Sequence, residues 1–331
     1  MDTEKVGKAI TFLRKRAGYT QRDLAKRIGI SDKAVSKWER GISLPDTALL
    51  GKLSILLDTD TDSLLAGDVI HHDRSWGGIL KLDDNSYGIN AGTMIFGKPL
   101  VYFLLGYFLL VGIKNIKIVC DTKSKEFIQE NLGTGERFGI HLTYEDDFLT
   151  PTNYMVVMGR TVLYGVDQTR FFQRAMTHPE RLTVLSLPKG IRTGNKSLLF
   201  DANRRIVRKE SDNQVTTQYN YYTIPIIFAP AEYIKFVDDI TSISIESMQR
   251  EAEIYTEVLD RGFIELPIDT WEDVAEASAF IHTVQKSCGM EVYCLEEIAW
   301  RRGMITTEQF RQFGEEQRDN PHGRYILSLL C

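Results

Sequence analysis

The chain has 331 residues, of which 43% are apolar and 26% are charged, and these shares are ordinary for a globular protein. This length favours two domains or one large one. The chain starts without a basic segment followed by an apolar stretch, which predicts no signal peptide. Its four cysteines form no CxxC pair, so neither a disulfide framework nor a zinc site is expected. We therefore predict a cytoplasmic protein with no metal and no other cofactor.

The formal net charge of −5 is unevenly distributed along the chain. Residues 1–52 contain 12 Lys and Arg against 6 Asp and Glu, a net of +6, so the following residues together carry −11. An asymmetry of this kind indicates that one part of the chain meets a polyanion and the other does not.

Residues 1–67 are predicted to form an all-α domain of five short helices. Apolar residues recur at helical spacing from Val6 onward, and residues that favour helix N-caps precede several of the repeats. Thr20 and Asp23 have the spacing of a capping box. The predicted helix boundaries are Gly18, Thr20, Gly29, Ser31, Gly41, Pro45 and either Thr61 or Asp62.

The segment TQRDLAKRIGISDKAVSKWERG, residues 20–41, combines two short helices, a turn glycine and a W-E-x-G exit. This pattern resembles the lambda-repressor-like, XRE-type helix-turn-helix family. The resemblance implies that the domain binds a double-stranded DNA operator with its third helix in the major groove. The DNA-binding residues would be Gln21, Ser31, Asp32, Lys33, Ser36, Lys37 and Arg40.

The chemistry of these side chains suggests two kinds of DNA contact. Lys33 and Lys37 suit guanine O6 and N7, whereas Asp32 suits a cytosine amino group. Gln21 and Arg40 would hold phosphates, which fix the register of the protein on DNA rather than its sequence preference. The alternative is that these residues are only a solvated helix face.

A polar segment, residues 68–75, is predicted to link this domain to a second one, residues 76–331. The segment contains His71 and His72, which could bind a metal but have no nearby partner ligand, so we interpret them as solvated. From Trp76 onward strand-like and helical segments alternate, which favours an α/β sheet with mainly parallel strands, followed by a helical C-terminal part. The apolar run at 99–113 is too short for an easy membrane span and is predicted to be a buried helix.

Six segments of the second domain carry a further resemblance. They are GKPLVYF, LLVGIKNIKIV, NLGTGERFGIHLTY, VVMGRTVLYGVDQ, RGFIELPIDTWEDVAEASAFI and CLEEIAWRRGMITTEQ. In this order they resemble the sugar-phosphate nucleotidyltransferases, most of all the glucose-1-phosphate thymidylyltransferases. The resemblance implies a multidomain protein, in which a five-helix head precedes an α/β Rossmann-like nucleotidyltransferase domain. It also implies assembly into a homodimer or a tetramer.

The phosphate-binding part of that family's active site is missing from this chain. The family has a glycine-rich loop, GGxGTRL, whose amides and arginine hold the triphosphate. Here the loop reads DDNSYGINAGTM, and Asp83 and Asp84 would repel phosphates. The catalytic lysine is absent as well, since Lys98 matches a structural lysine of the family.

The magnesium-binding part is also missing. In the family one metal-binding aspartate lies in a G-D-N turn, and this turn reads Gly159-Arg160-Thr161 here. The second lies in an L-D-T-G-T segment, for which Asp269 sits two residues late. Phosphoryl transfer depends on positioning and charge neutralisation, so we predict a pseudoenzyme without catalytic residues.

Some members of the family have a second, regulatory site for a nucleotide sugar. By resemblance it would consist here of Leu110, Tyr164, Gly165, Val292, Glu297, Ile298 and Arg301. These residues provide an aromatic face for a base, a glycine for close approach and an arginine for a diphosphate. The alternative is that they pack a subunit interface.

Together these patterns predict a DNA-binding transcription regulator. Its second domain would be catalytically inactive, form homo-oligomers and bind a nucleotide sugar such as a dTDP-sugar, without membrane contact. Two alternatives stay open. One is an active sugar-phosphate nucleotidyltransferase with an attached DNA-binding head, and the other is an oligomerisation scaffold without a ligand.

Overall fold

The computed structural model describes residues 3–16, 19–57, 59, 61–66, 76–82, 85–144, 151–188, 197–200, 204–210, 221–236 and 253–330. The chain divides into two compact units, Met1–His71 and His72–Cys331, and the division falls within the predicted linker. Several residues named above lie outside the described ranges, and they are Gly18, His71, His72, Asp83 and Asp84. No helix within these ranges is long and apolar enough to cross a membrane.

The first unit is helical, as predicted. Its helices are α1 (Thr3–Arg16), α2 (Gln21–Ile28), α3 (Asp32–Glu39), α4 (Thr47–Leu57) and α5 (Thr61–Ala66). Thr20 and Asp23 form the predicted capping box on α2, and Ser31 caps α3 by accepting a hydrogen bond from Ala34 N–H. Helix α4 begins after Pro45, because the Asp46 carboxylate accepts a hydrogen bond from Ala48 N–H and caps its first turn.

The core of the first unit lies where the helices cross. Ile10, Leu24, Val35 and Leu53 are fully buried there, and Trp38 is nearly so. Helices α1 and α3 approach closely at Gly7, where an added Cβ would lie 2.5 Å from the carbonyl oxygen of Trp38. Glycine is therefore required for this helix crossing.

The second unit is built on a mixed sheet. Its strands are β1 (Trp76–Leu82), β2 (Met94–Ile95), β3 (Lys98–Pro99), β4 (Asn115–Cys120), β5 (His141–Thr143), β6 (Asn153–Met158), β7 (Thr161–Tyr164), β8 (Leu182–Pro188), β9 (Ser197–Phe200), β10 (Ile206–Glu210), β11 (Tyr221–Pro230), β12 (Ile254–Val258) and β13 (Ile264–Pro267). Its helices are α6 (Leu100–Leu110), α7 (Thr122–Leu132), α8 (Gln168–Met176), α9 (Trp271–Cys288), α10 (Leu295–Arg301), α11 (Thr307–Glu316) and α12 (Pro321–Ser328).

Parallel pairing, predicted for most strands, is observed in only part of this sheet. The strand order is β10-β9-β11-β6-β1-β4-β5, with β8 joined to β11 and β12. Strands β6, β1, β4 and β5 are parallel, and β12 is parallel to β8, whereas β11 runs antiparallel to β6, β8 and β9. Strands β9 and β10 are joined by a connection too short for a crossover, so they pair antiparallel.

Helix α6 is the centre of this unit, which confirms the prediction of a buried apolar helix. Tyr107 and Phe108 are fully buried within it. The helical C-terminal part is also as predicted, but the separate start of α12 was not specified. Its signal is local, since Asn320 caps the helix and Pro321 occupies its first turn.

Candidate DNA interface and ligand-binding sites

Helix α3 presents a polar face to solvent. Val35 and Trp38 anchor the opposite face in the core and so fix the rotation of the helix. Most of the predicted DNA-contacting residues of this helix and its caps are exposed, namely Ser31, Asp32, Lys33, Lys37 and Arg40. Ser36 is half-buried. The two lysines predicted to read bases are therefore accessible.

A buried ionic network, which the sequence analysis missed, fixes α3 against α1 and α2. The Arg14 guanidinium donates to both carboxylate oxygens of Glu39 and, at 2.6 Å, to the carbonyl oxygen of Tyr19. Gln21 Nε2 donates to Glu39 Oε2 at 2.6 Å. Gln21 was predicted to hold a phosphate. One of its two amide N–H groups is bonded to Glu39, so the second N–H is the donor that could contact a phosphate.

A concave, basic surface lies beside the N-termini of α2 and α3. It has a volume of about 560 Å³ and is lined by Arg14, Lys15, Tyr19, Thr20, Gln21, Arg22 and Asp32. Lys15 and Arg22 are cations and Asp32 is a carboxylate, whereas the charge of Arg14 is already paired with that of Glu39. Helix N-termini also favour anions, so the chemistry of this surface suits a phosphate backbone.

The three segments predicted to form a regulatory pocket meet at Tyr293. This residue packs against α6, where an added Cβ on Gly106 would lie 2.5 Å from its ring. Its ring centroid is 5.2 Å from that of Tyr107, and its hydroxyl donates to the carbonyl oxygen of Leu163 in β7 at 2.5 Å. Burial raises the pKa of Tyr293 well above its ordinary value, so the hydroxyl stays protonated.

The predicted pocket residues on α6 and β7 are packed against the core. Leu110 is half-buried, and Tyr164 lies edge-on to Phe280 with 5.5 Å between ring centroids. An added Cβ on Gly165 would lie 2.3 Å from the ring of Phe263. The need for glycine at this position is therefore explained by packing within the chain.

The predicted residues on and before α10 have mixed environments. Val292 is nearly buried and Ile298 is half-buried against the core. Glu297 accepts hydrogen bonds from Arg301 Nε at 2.7 Å and from the hydroxyl of Tyr325 at 2.5 Å. The Arg301 side chain is 60% exposed and so is the member of this group most open to a ligand.

An arginine and a carboxylate meet where the resemblance would have two metal-binding aspartates. Strands β7 and β13 pair antiparallel and bring Arg160 beside Asp269, with 3.8 Å between Nε and Oδ1. The Arg160 side chain is 9% exposed. A guanidinium at this position repels a divalent cation, so these residues do not fit a magnesium site.

The short loop after β1 is bonded to the start of α9. Asn85 Nδ2 donates to the carbonyl oxygen of Asp269 at 3.0 Å, and Trp271 Nε1 donates to that of Tyr87 at 3.1 Å. These contacts tie the loop to its own domain, in a region where the resemblance would have a phosphate cradle.

A second cluster of charged groups was also missed by the sequence analysis. His322 lies between two carboxylates, with Nδ1 2.7 Å from Glu291 and Nε2 3.3 Å from Glu296. Lys98 Nζ donates to the carbonyl oxygen of Val292 at 2.8 Å and lies 3.4 Å from Glu291. Burial of the imidazole lowers its pKa, but hydrogen bonds to the two carboxylates outweigh this and raise the pKa to about 9.

The same cluster brings a cysteine close to His322. Ligand atoms of Glu291, Cys294 and His322 lie within 4.8 Å of one another, a grouping that could hold a metal ion. Burial raises the pKa of the Cys294 thiol well above its ordinary value. Because Lys98 already contacts Glu291, a cation of the chain itself neutralises this cluster.

Comparison with known proteins agrees with this division of the chain. A helix-turn-helix family model matches residues 10–64. Glucose-1-phosphate thymidylyltransferase of Neisseria meningitidis is 27% identical over 259 residues, which cover 71% of this chain and 90% of that protein. The enzyme of the same name from Neisseria gonorrhoeae is 25% identical over 265 residues, with the same coverage.

A solved structure shares the fold of the second unit. It is a Bacillus anthracis protein assigned as a glucose-1-phosphate thymidylyltransferase and bound to sucrose, with a TM-score of 0.50 and 13% identity, covering 62% of this chain and 95% of that one. The chain thus joins an XRE-type helix-turn-helix domain to an α/β nucleotidyltransferase-like domain. Among the nucleotidyltransferases, this second domain shows homology to the glucose-1-phosphate thymidylyltransferases.

Proposed function

We propose that this protein is a transcription regulator that binds an operator through α3 and does not catalyse nucleotidyl transfer. The helix-turn-helix match supports a DNA-binding regulator. The observation that carries the proposal is the exposed polar face of α3, which Val35 and Trp38 hold in one orientation beside a basic concave surface. A helix fixed in this way can enter a major groove without rearrangement.

A mobility-shift assay on DNA from upstream of the gene tests operator binding. We expect Lys33→Ala and Lys37→Ala each to weaken binding by about 5- to 150-fold, the range for one base contact. A lysine that contacts phosphate instead would lower the salt dependence by about one unit for every DNA sequence. Lys286→Ala, an exposed lysine of the second unit, is the matched control. Unchanged affinity of both variants would refute the role of α3.

The absence of catalysis is proposed from Arg160 and Asp269. The buried guanidinium and its carboxylate partner leave no pair of aspartates for magnesium in the described part of this region. A pyrophosphate-release assay with magnesium, glucose 1-phosphate and each nucleoside triphosphate should give the rate of the protein-free control. Magnesium-dependent release above that rate would establish the enzyme instead.

The proposal extends to a sensory role for the second domain as a homo-oligomer that binds a nucleotide sugar. Support comes from Tyr293, which joins the three predicted segments, and from the exposed guanidinium of Arg301. With dTDP-glucose at 100 times its Kd, unfolding should cost about 2.7 kcal/mol more. Arg301→Ala should abolish this gain, whereas Arg311→Ala, also half-exposed and also paired with a nearby glutamate, should keep it.

The same ligand should alter operator binding in the mobility shift, because a regulator responds only through a ligand that favours one state. No stabilisation by any nucleotide sugar would favour the ligand-free scaffold. Sedimentation of the full chain tests the oligomer. A dimer on DNA would cover two half-sites about 34–36 Å apart, or a multiple of that distance.

A further inference from the structure

A second cavity, of about 620 Å³, lies within the second unit. Its walls come from the β2–β3 turn, the first turn of α6, the end of α9, the start of α10 and the junction of α11 with α12. The volume is in the range of small-molecule sites. Glu296 faces this cavity while its neighbour Glu297 is bonded to Tyr325, so the cavity is distinct from the surface that Arg301 occupies.

The charged groups of the cavity neutralise one another. Lys98 and His322 are the cations, Glu291 and Glu296 are the carboxylates, and all four line the cavity. An anionic ligand would meet two carboxylates here, and a cationic ligand would meet two cations. An uncharged ligand keeps all three ion pairs among these groups intact, because a hydroxyl both donates to carboxylates and accepts from ammonium or imidazolium groups.

Further polar groups of the cavity have hydrogen-bonding capacity that the chain leaves unused. Within the described residues the Tyr102 hydroxyl has no hydrogen-bond partner, and burial together with Glu296 raises its pKa to about 12, so it stays a donor. Gln285 accepts from Val292 N–H through Oε1, and Gln317 accepts from Asn320 Nδ2. The amide nitrogens of both glutamines are donors without a partner in that part of the chain.

The cavity also has an aromatic rim. Phe96 is 41% exposed, and its ring stacks on His282 with 4.7 Å between centroids. A rigid aromatic face of this kind can pack against the C–H face of a pyranose ring. The aromatic ring of Phe96 suits the apolar face of such a ligand. The amide donors and the paired charges suit the polar hydroxyl groups around its edge.

We propose that this cavity binds an uncharged polyhydroxylated ligand, a mono- or disaccharide. This site goes beyond the proposed function, because it requires neither DNA nor a nucleotide. A metal ion is disfavoured by Lys98, and a sugar phosphate by the two carboxylates.

Calorimetry and saturation-transfer NMR on the full chain, with glucose and maltose as probes and glucose 6-phosphate for comparison, test the proposal. At least one neutral sugar should bind, and more tightly than the phosphate. Tyr102→Phe keeps the ring that packs on Phe138 and removes only the hydroxyl, so affinity should fall about three- to tenfold with unchanged thermal stability. Tyr87→Phe, an exposed tyrosine outside the cavity, is the control.

Gln285→Glu provides a second variant. It keeps the acceptor for Val292 N–H and removes the amide donor, so it should also weaken binding of the neutral sugar. Three results would each overturn the proposal. They are no binding of either neutral sugar, tighter binding of glucose 6-phosphate, and unchanged affinity in both Tyr102→Phe and Gln285→Glu.

Discussion

Replacing Glu39 by alanine tests whether one carboxylate holds the helical domain together. The Glu39 side chain is 6% exposed and accepts hydrogen bonds from Arg14 on α1 and from Gln21 on α2. In the variant the Arg14 guanidinium, in a side chain that is 10% exposed, loses its carboxylate. Removing one partner of a buried ion pair costs about 3–5 kcal/mol.

This cost is large for so small a domain. At ~0.05–0.15 kcal/mol per residue, a unit of this size has a total stability of about 4–11 kcal/mol. Hydrogen exchange followed by mass spectrometry on the full chain reports each unit separately. Peptides from α1 and α3 should lose about two to four orders of magnitude of protection, since each factor of ten is about 1.4 kcal/mol. Peptides from the second unit should be unchanged.

Two variants separate the buried ion pair from a general loss of charge. Glu4→Ala breaks the exposed pair with Lys8, in which both side chains are 74% exposed, and should cost less than about 1 kcal/mol. Arg14→Met with Glu39→Leu removes both charges and should recover much of the stability. Protection in Glu39→Ala within threefold of the wild-type value would refute the reasoning.

Three further predictions concern single residues of the second unit. In denaturant titrations Gly165→Ala should lower the free energy of unfolding by about 1–3 kcal/mol, because its Cβ would lie 2.3 Å from a phenylalanine ring. Gly262→Ala has open space around it and should lower it by less than about 0.5 kcal/mol. Equal losses in the two variants would contradict this reasoning. Burial lowers the pKa of His322, but hydrogen bonds to its flanking carboxylates raise it from 6.5 to about 9, so the stabilisation is complete below pH 6.5 and is lost as pH rises towards 9. In His322→Gln the urea midpoint should therefore change less with pH over that interval than in the wild type. The same pH dependence in both proteins would disprove the role of His322. N-ethylmaleimide should label the exposed Cys288 in the folded protein. It should label Cys294 only after unfolding, because burial covers this thiol and raises its pKa. Labelling of Cys294 in the folded protein, detected by peptide mapping, would exclude a closed core there.

The predictions that were confirmed depend on signals within a few residues of one another. The capping box of Thr20 with Asp23 and the cap at Ser31 are local, and the structure contains both. The buried helix at 99–113 was predicted from a continuous apolar run, and it is observed as Leu100–Leu110. The predicted start of α4 at Pro45 lies two residues before the observed start at Thr47, because Asp46 caps the first turn.

The missed features join residues that are distant along the chain. Arg14 and Glu39 are 25 residues apart, and Lys98 donates to a carbonyl group 194 residues further on. Nothing in the local pattern of charges identifies such partners, because the pairing is created by packing of helices and strands that carry them. The antiparallel pairing of β11 was missed for a similar reason, since β11 pairs with three strands that are separated from it in sequence.

The shared acceptor at Glu39 has a consequence for how the operator can be controlled. Because the Glu39 carboxylate on α3 accepts hydrogen bonds from α1 and α2, a tilt of α3 would either break these bonds or move the other two helices with it. If the chain acts as the proposed regulator, a helical domain held by these bonds would present the same DNA-contacting surface with and without a ligand. A ligand would then have to regulate transcription by changing the position of the helical domain on the DNA duplex, rather than the bases that α3 prefers.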